Sequence, residues 1–119
     1  MAVSSGYRDY VLGQLAALAT LRARPMFGGI GLYCDELFFA LIADDTLYLL
    51  VDDRNRGDFS ARGMAAFRPY VDRPQLSVSY YAVPAEVLED VAELTLWAQR
   101  SLAVARTRPP ATKPRRTRR

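Results

Sequence analysis

Three glycines threaded through the apolar run Met26-Phe27-Gly28-Gly29-Ile30-Gly31-Leu32-Tyr33 constrain this chain more than any other stretch. Glycine weakens a strand, and it is placed in one where the backbone needs a positive φ, a bulge, or the close approach of another backbone or a ligand. Gly28-Gly29 therefore reads as a tight turn or bulge that opens a sheet. A phosphate cradle is the competing reading. Gly28-Gly29-x-Gly31 lacks the Lys-Ser/Thr of a P-loop and the following helix whose N-terminus would hold the anion.

The segments downstream predict strands over residues 30–34, 37–43 and 46–51, separated by the short polar turns Asp35-Glu36 and Asp44-Asp45, an antiparallel meander. Alternation in the middle strand sets Phe39 and Leu41 on one face and Phe38, Ala40 and Ile42 on the other. Both faces are apolar, so cover is expected on both, from helices on one side and a partner subunit on the other.

Upstream, Ser4 or Ser5 caps a helix whose Tyr7, Val11, Leu15 and Leu18 form one apolar stripe, interrupted by Gln14. It should fade near Thr20, and Pro25 keeps Arg24 out of helical geometry, so the chain enters the octet extended. Beyond the meander, residues 56–62 around Phe59 predict a short helix closed by Gly63. A short strand is expected over 66–69, a loop over 70–74, and a strand over 76–83 with Leu76, Val78, Tyr80 and Ala82 inward. Pro84 then opens a brief helix over 85–88. Asp90 with Glu93 resembles a capping box for a last helix whose apolar face is Leu94, Trp97, Ala98, Leu102 and Ala105, anchored by Trp97.

The octet, followed by Phe38-Phe39-Ala40-Leu41-Ile42, then Leu47-Tyr48-Leu49-Leu50-Val51-Asp52-Asp53 and Tyr80-Tyr81-Ala82-Val83-Pro84, resembles the TfoX N-terminal domain family over roughly residues 5–105. Met26-Phe27-Gly28-Gly29 is the most specific part, supported by the order and spacing of the later blocks. The resemblance implies a small α+β domain of the kind found in bacterial regulators of competence development. The family habit of Asp-Gly in the first turn is replaced here by Asp35-Glu36, which makes a two-residue type I′ turn less comfortable. Where the family commonly has Lys after Leu-Tyr-Leu, this chain has Leu50, which favours burial or self-association of that face. The longer competence regulators carry a second C-terminal domain, and this chain has a basic tail in its place.

Chemistry is sparsely signalled. Cys34 is the only cysteine and histidine is absent, so an internal disulfide, a cysteine zinc cluster and a histidine-dependent triad are excluded. The carboxylate pairs Asp35-Glu36, Asp44-Asp45 and Asp52-Asp53 fall at turns, and the first two lie at opposite ends of the middle strand, about 20 Å apart at ~3.3 Å per residue. They read as solvated turn acids. Tyr33, Tyr48, Tyr80 and Tyr81 with Arg24 would line a ligand groove, against the commoner role of such aromatics in cross-strand packing. Cys34 reads as a buried inert thiol.

Charge is concentrated at one end. From Arg106 onward there are seven basic and no acidic residues; removing them from the 16 basic residues of the chain leaves 9 against 13 acids, about −4 for residues 1–105. With three prolines and no periodicity, the tail beginning at 106 is expected to be disordered beside a domain over 1–105. Arg115, Arg116, Arg118 and Arg119 would meet phosphates without base preference, since nothing aromatic is interleaved. No apolar run reaches the ~20 residues of a membrane span and no signal peptide begins the chain, so a soluble cytoplasmic protein is expected.

The sequence thus predicts an α+β fold: a three-stranded antiparallel meander plus one or two further strands, with N- and C-terminal helices on one face. The expected role is non-enzymatic, a regulatory or adaptor domain acting by protein contact, with a second copy of the chain among the candidate partners. Met26, Phe27, Gly28, Gly29, Gly31, Tyr80, Tyr81 and Trp97 are its structural or partner-contact residues, and no metal, cofactor or catalytic residue is expected. Nucleic-acid association through the tail is the alternative, and a small-ligand-binding protein the third reading.

Overall fold

A computed structural model describes residues 4–26, 29–66 and 80–107. Helix α1 (Ser5–Gln14) starts where Ser4 Oγ accepts the Tyr7 N–H at 3.2 Å, and it buries Val11. It ends earlier than the periodicity predicts. The chain then turns through buried Leu15 and Leu18 to Thr20, whose φ of 60° closes helical geometry. Gln14, the break in the apolar stripe, donates from Nε2 to the Leu88 carbonyl at 2.9 Å, so a polar residue on the packed face ties α1 to a later helix.

The extended approach to the octet is itself a strand. β1 (Leu21–Met26) pairs antiparallel with β2 (Gly29–Cys34), from Leu21 opposite Cys34 to Met26 opposite Gly29. Arg22, Arg24 and Pro25 hide it from any alternation rule. They are nonetheless suited to the place it occupies, since β1 ends the sheet, residues 22–25 are exposed, and edge strands tolerate proline and favour charge.

β3 (Leu37–Ala43), β4 (Thr46–Leu50) and β5 (Tyr80–Ala82) complete a five-stranded antiparallel sheet in the order β1-β2-β3-β4-β5. The Asp35-Glu36 and Asp44-Asp45 turns have positive φ at all four residues, 52°, 67°, 51° and 51°. Glu36 therefore adopts the left-handed geometry in which the family places glycine. Thr20 and Arg22 support it: the Thr20 hydroxyl accepts the Asp35 N–H at 2.9 Å, and Arg22 Nη1 reaches Glu36 Oε2 at 2.8 Å.

The β2–β3 register slips between Leu32 and Tyr33. Leu32 opposes Ala40 but Tyr33 opposes Phe38, which leaves Phe39 as the extra residue of a bulge. This corrects the expected alternation. Directly paired residues share a face, so Phe38 leaves the side of Ala40 and Ile42 and joins Tyr33. Phe39, Ala40, Leu41, Ile42 and Ala43 are buried within the single chain, while Leu37 and Phe38 at the start of the strand are half-buried.

Helix α2 (Arg56–Ser60) buries Phe59 and closes as anticipated at Gly63, with φ 67°. The Gly63 N–H donates to the Ser60 carbonyl at 3.0 Å and the Met64 N–H to Phe59 at 3.1 Å, the paired bonds of a Schellman close. Ala66 bridges Tyr81 on the side of β5 away from β4. The remainder of the expected 66–69 strand, the 70–74 loop, and Leu76 and Val78 of the expected 76–83 strand lie outside the described residues. Pro84 precedes α3 (Ala85–Leu88), and α4 (Val91–Thr107) packs on β3 and β4. α4 runs through Arg106 and Thr107, so the first basic residue assigned to the tail belongs to a helix.

The Asp90–Glu93 cap forms by half. Asp90 Oδ1 accepts the Glu93 N–H at 3.1 Å, while Glu93 Oε2 accepts the Trp97 indole N–H at 3.1 Å. A buried indole donor needs a partner, and Glu93 lies one turn before it on the same face.

Candidate functional site

The described glycines of the octet, Gly29 and Gly31, lie within the paired strand β2. Gly29 shows no left-handed φ; its constraint is contact, since a Cβ there would stand 2.3 Å from the Ile42 carbonyl oxygen. Gly31 is buried between Arg24 and Leu41 in the register. Met26 closes the β1–β2 ladder opposite Gly29, while Phe27 and Gly28, and with them the expected turn, lie outside the described residues.

The tyrosines divide between the two faces of the sheet. Tyr33 stacks on Phe38 with centroids 5.1 Å apart, Phe38 meets Tyr80 at 5.3 Å, and the Arg24 guanidinium sits 5.6 Å from the Tyr33 centroid. Tyr48 shares this face by its pairing with Leu41. Tyr81 does not. It pairs with Leu49, on the side of Leu32 and Ala40, and its ring packs 5.9 Å from Phe59. The expected groove of four tyrosines is thus not one groove. What remains is a column, Arg24–Tyr33–Phe38–Tyr80, in which Tyr33 lies between Arg24 and Phe38, and Phe38 between Tyr33 and Tyr80. The bulge at Phe39 builds it, by turning Phe38 into line with Tyr33.

Trp97 is 3% exposed, with its ring edge-on to Phe59 at 4.8 Å and the Arg62 guanidinium 5.3 Å from its centroid. It is an anchor of the core.

Each carboxylate pair is engaged in holding the fold. Asp35 and Glu36 are met by Thr20 and Arg22, Asp45 Oδ1 accepts the Ser4 N–H at 2.8 Å, Arg54 grips Asp52 at 2.6 Å, and Arg56 pairs with Asp53. The hydrogen bond from Arg54 holds the Asp52 carboxyl below the usual carboxylate range. Among the described residues no three of His, Cys, Asp and Glu group as metal ligands. Cys34 is 4% exposed, and burial, with the Asp35 charge beside it, holds its thiol above the ordinary pKa, which disfavours the nucleophilic thiolate.

Sequence reasoning missed Asn55 and Ser101, the two buried polar residues described. Both donate to the Leu50 carbonyl, Asn55 Nδ2 at 3.1 Å and Ser101 Oγ at 2.8 Å, and Asn55 Oδ1 accepts the Asp52 N–H at 2.8 Å. They close the end of β4 against α4. An asparagine three residues after Asp52 at a strand exit was the available signal for half of this; Ser101 had none.

Arg115, Arg116, Arg118 and Arg119 lie outside the described residues. No helix among the described residues is long and apolar enough to cross a membrane.

No curated protein matches the chain. The family model described as TfoX N-terminal domain matches residues 13–105, which takes in the octet, the whole sheet and nearly all of α4. The chain belongs to the TfoX N-terminal domain family.

Proposed function

We propose that this protein is a cytoplasmic, non-enzymatic regulatory or adaptor domain of the competence-regulator type, and that it acts by binding another protein. The family match over residues 13–105 carries this reading. The engagement of the turn carboxylates in ion pairs and caps supports it, because general acid–base chemistry needs groups that converge on a substrate. The test is affinity capture from the native host with the full chain, followed by titration of the captured protein, purified, against wild type and Arg24→Glu. A direct complex sensitive to Arg24 supports the reading; purified proteins that do not associate overturn it.

Nucleic-acid association through the tail is the second reading, favoured by seven basic residues without an acid from Arg106 onward. Calorimetry against duplex DNA at two salt concentrations separates it from the first.

A further inference from the structure

A cleft of about 200 Å³ opens where the α1–β1 linker, the β2–β3 turn and α4 meet. Leu18, Leu37 and Leu102 supply an apolar part of a lining that is otherwise mostly polar, and the buried Cys34 thiol lies among them, held protonated by its surroundings. The volume exceeds the ~150 Å³ that accommodates a benzene ring in an engineered protein cavity. The volume is thus enough for a small aliphatic side chain.

Opposite charges stand on its two walls. Arg106 lines the cleft from the last turn of α4, with Gln99 two turns earlier on the same helix face. Among the described residues neither side chain has a hydrogen-bond or ion-pair partner. Asp35 lines it from the β2–β3 turn. Its backbone and carboxylate are fixed by Thr20, whose hydroxyl lies 3.0 Å from Asp35 Oδ1, and it makes no ion pair with Arg106. A simple anion drawn to Arg106 is repelled by Asp35, and a simple cation drawn to Asp35 is repelled by Arg106. A small molecule carrying both charges beside an apolar arm matches all three parts of the cleft.

We propose that this cleft is a binding site for a free α-amino acid with an aliphatic side chain, its carboxylate at Arg106, its ammonium at Asp35 and its side chain on Leu18, Leu37 and Leu102. The inference is independent of the protein-contact reading and stands or falls without it. Both charged residues are solvent-exposed, so each contact is worth little and weak, millimolar-range affinity is expected.

The test is NMR titration of the ¹⁵N-labelled full chain with L-leucine, and with 4-methylpentanoate and isopentylamine, which each lack one of its charges. Leucine should shift the Leu37 and Leu102 amides saturably, and each analogue should bind about two- to fivefold more weakly. Arg106→Gln should weaken leucine about two- to fivefold and leave isopentylamine no weaker. Asp35→Asn, which asparagine's tolerance of positive φ permits, should spare 4-methylpentanoate and weaken leucine. The proposal is overturned if 4-methylpentanoate binds as tightly as leucine, if Arg106→Gln leaves leucine unchanged, or if no amide shift approaches saturation by about 100 mM leucine.

Discussion

Gly29 shows how little of a glycine's role a sequence discloses. The doublet Gly28-Gly29 suggests a need for unusual dihedrals, yet at Gly29 the need is for an absent Cβ, because the Ile42 carbonyl oxygen occupies its place. Gly29→Ala forces backbone against backbone across the β2–β3 ladder, and overpacking of this kind costs about 1 to 3 kcal/mol. Gly57 in α2, where a Cβ would meet only open space, is the control, and Gly57→Ala should stabilise by roughly 0.5 to 1 kcal/mol. Urea denaturation of the two variants checks the contrast; equal midpoints for Gly29→Ala and wild type would remove the contact argument. Trp97 is the other residue whose removal should dominate stability. Trp97→Ala is expected to cost about 3 to 5 kcal/mol, enough to unfold a marginal domain, and wild-type emission should be blue-shifted by burial. A water-like emission maximum contradicts the buried position.

Among the elements, the β2–β3 hairpin and the end of β4 are where local preference and tertiary demand part. Glu36 at φ 67° bears the cost of left-handed geometry, about 1 to 2 kcal/mol for a non-glycine residue, offset by an exposed Arg22 pair worth at most ~1 kcal/mol. Glu36→Gly should therefore raise the melting temperature slightly, and a fall would mean the Arg22 pair outweighs the strain. At the end of β4, Asn55→Ala leaves the Asp52 N–H without its acceptor and the Leu50 carbonyl with one donor fewer, a loss of about 1 to 3 kcal/mol. Ser101→Ala removes the second donor to the same carbonyl, so the double variant should be non-additive in equilibrium unfolding. Strict additivity would show that the two donors act independently.

Across the molecule, residues 1–105 are net acidic and the residues from Arg106 onward are basic. α4 extends through Thr107, whose Oγ1 is met by Arg54 Nη2 at 2.7 Å, so a truncation that respects the fold removes residues 108–119 and the six basic residues among them. If the tail supplies the DNA affinity, each phosphate contact releases counterions and the log–log salt slope should be no steeper than about −5. Truncation should abolish binding and leave the melting temperature nearly unchanged. Comparable affinity after truncation would place the nucleic-acid surface on the folded region.

The parts of this protein that rest on local chemistry were legible in its sequence. Ser4 and Asp90 cap helices, Gly63 closes α2, two acidic dipeptides turn the hairpins, and the spacing of Leu94, Trp97, Ala98 and Leu102 sets the buried face of α4. These signals lie within a few residues of the structure they specify. Whatever depends on contacts between distant segments emerged only in the folded chain. β1 is a strand because β2 offers it a ladder, although Arg22, Arg24 and Pro25 carry no alternation of their own. Phe38 joins Tyr33 and Tyr80 because one extra residue in β3 changes the register, and a slip of one residue reverses the face of every side chain beyond it. Tyr81 leaves the tyrosine face for Phe59, and Arg106 and Asp35, distant in sequence, line one cleft. Pairing register and the meeting of chain segments are properties of the assembled sheet, and no window of the sequence contains them.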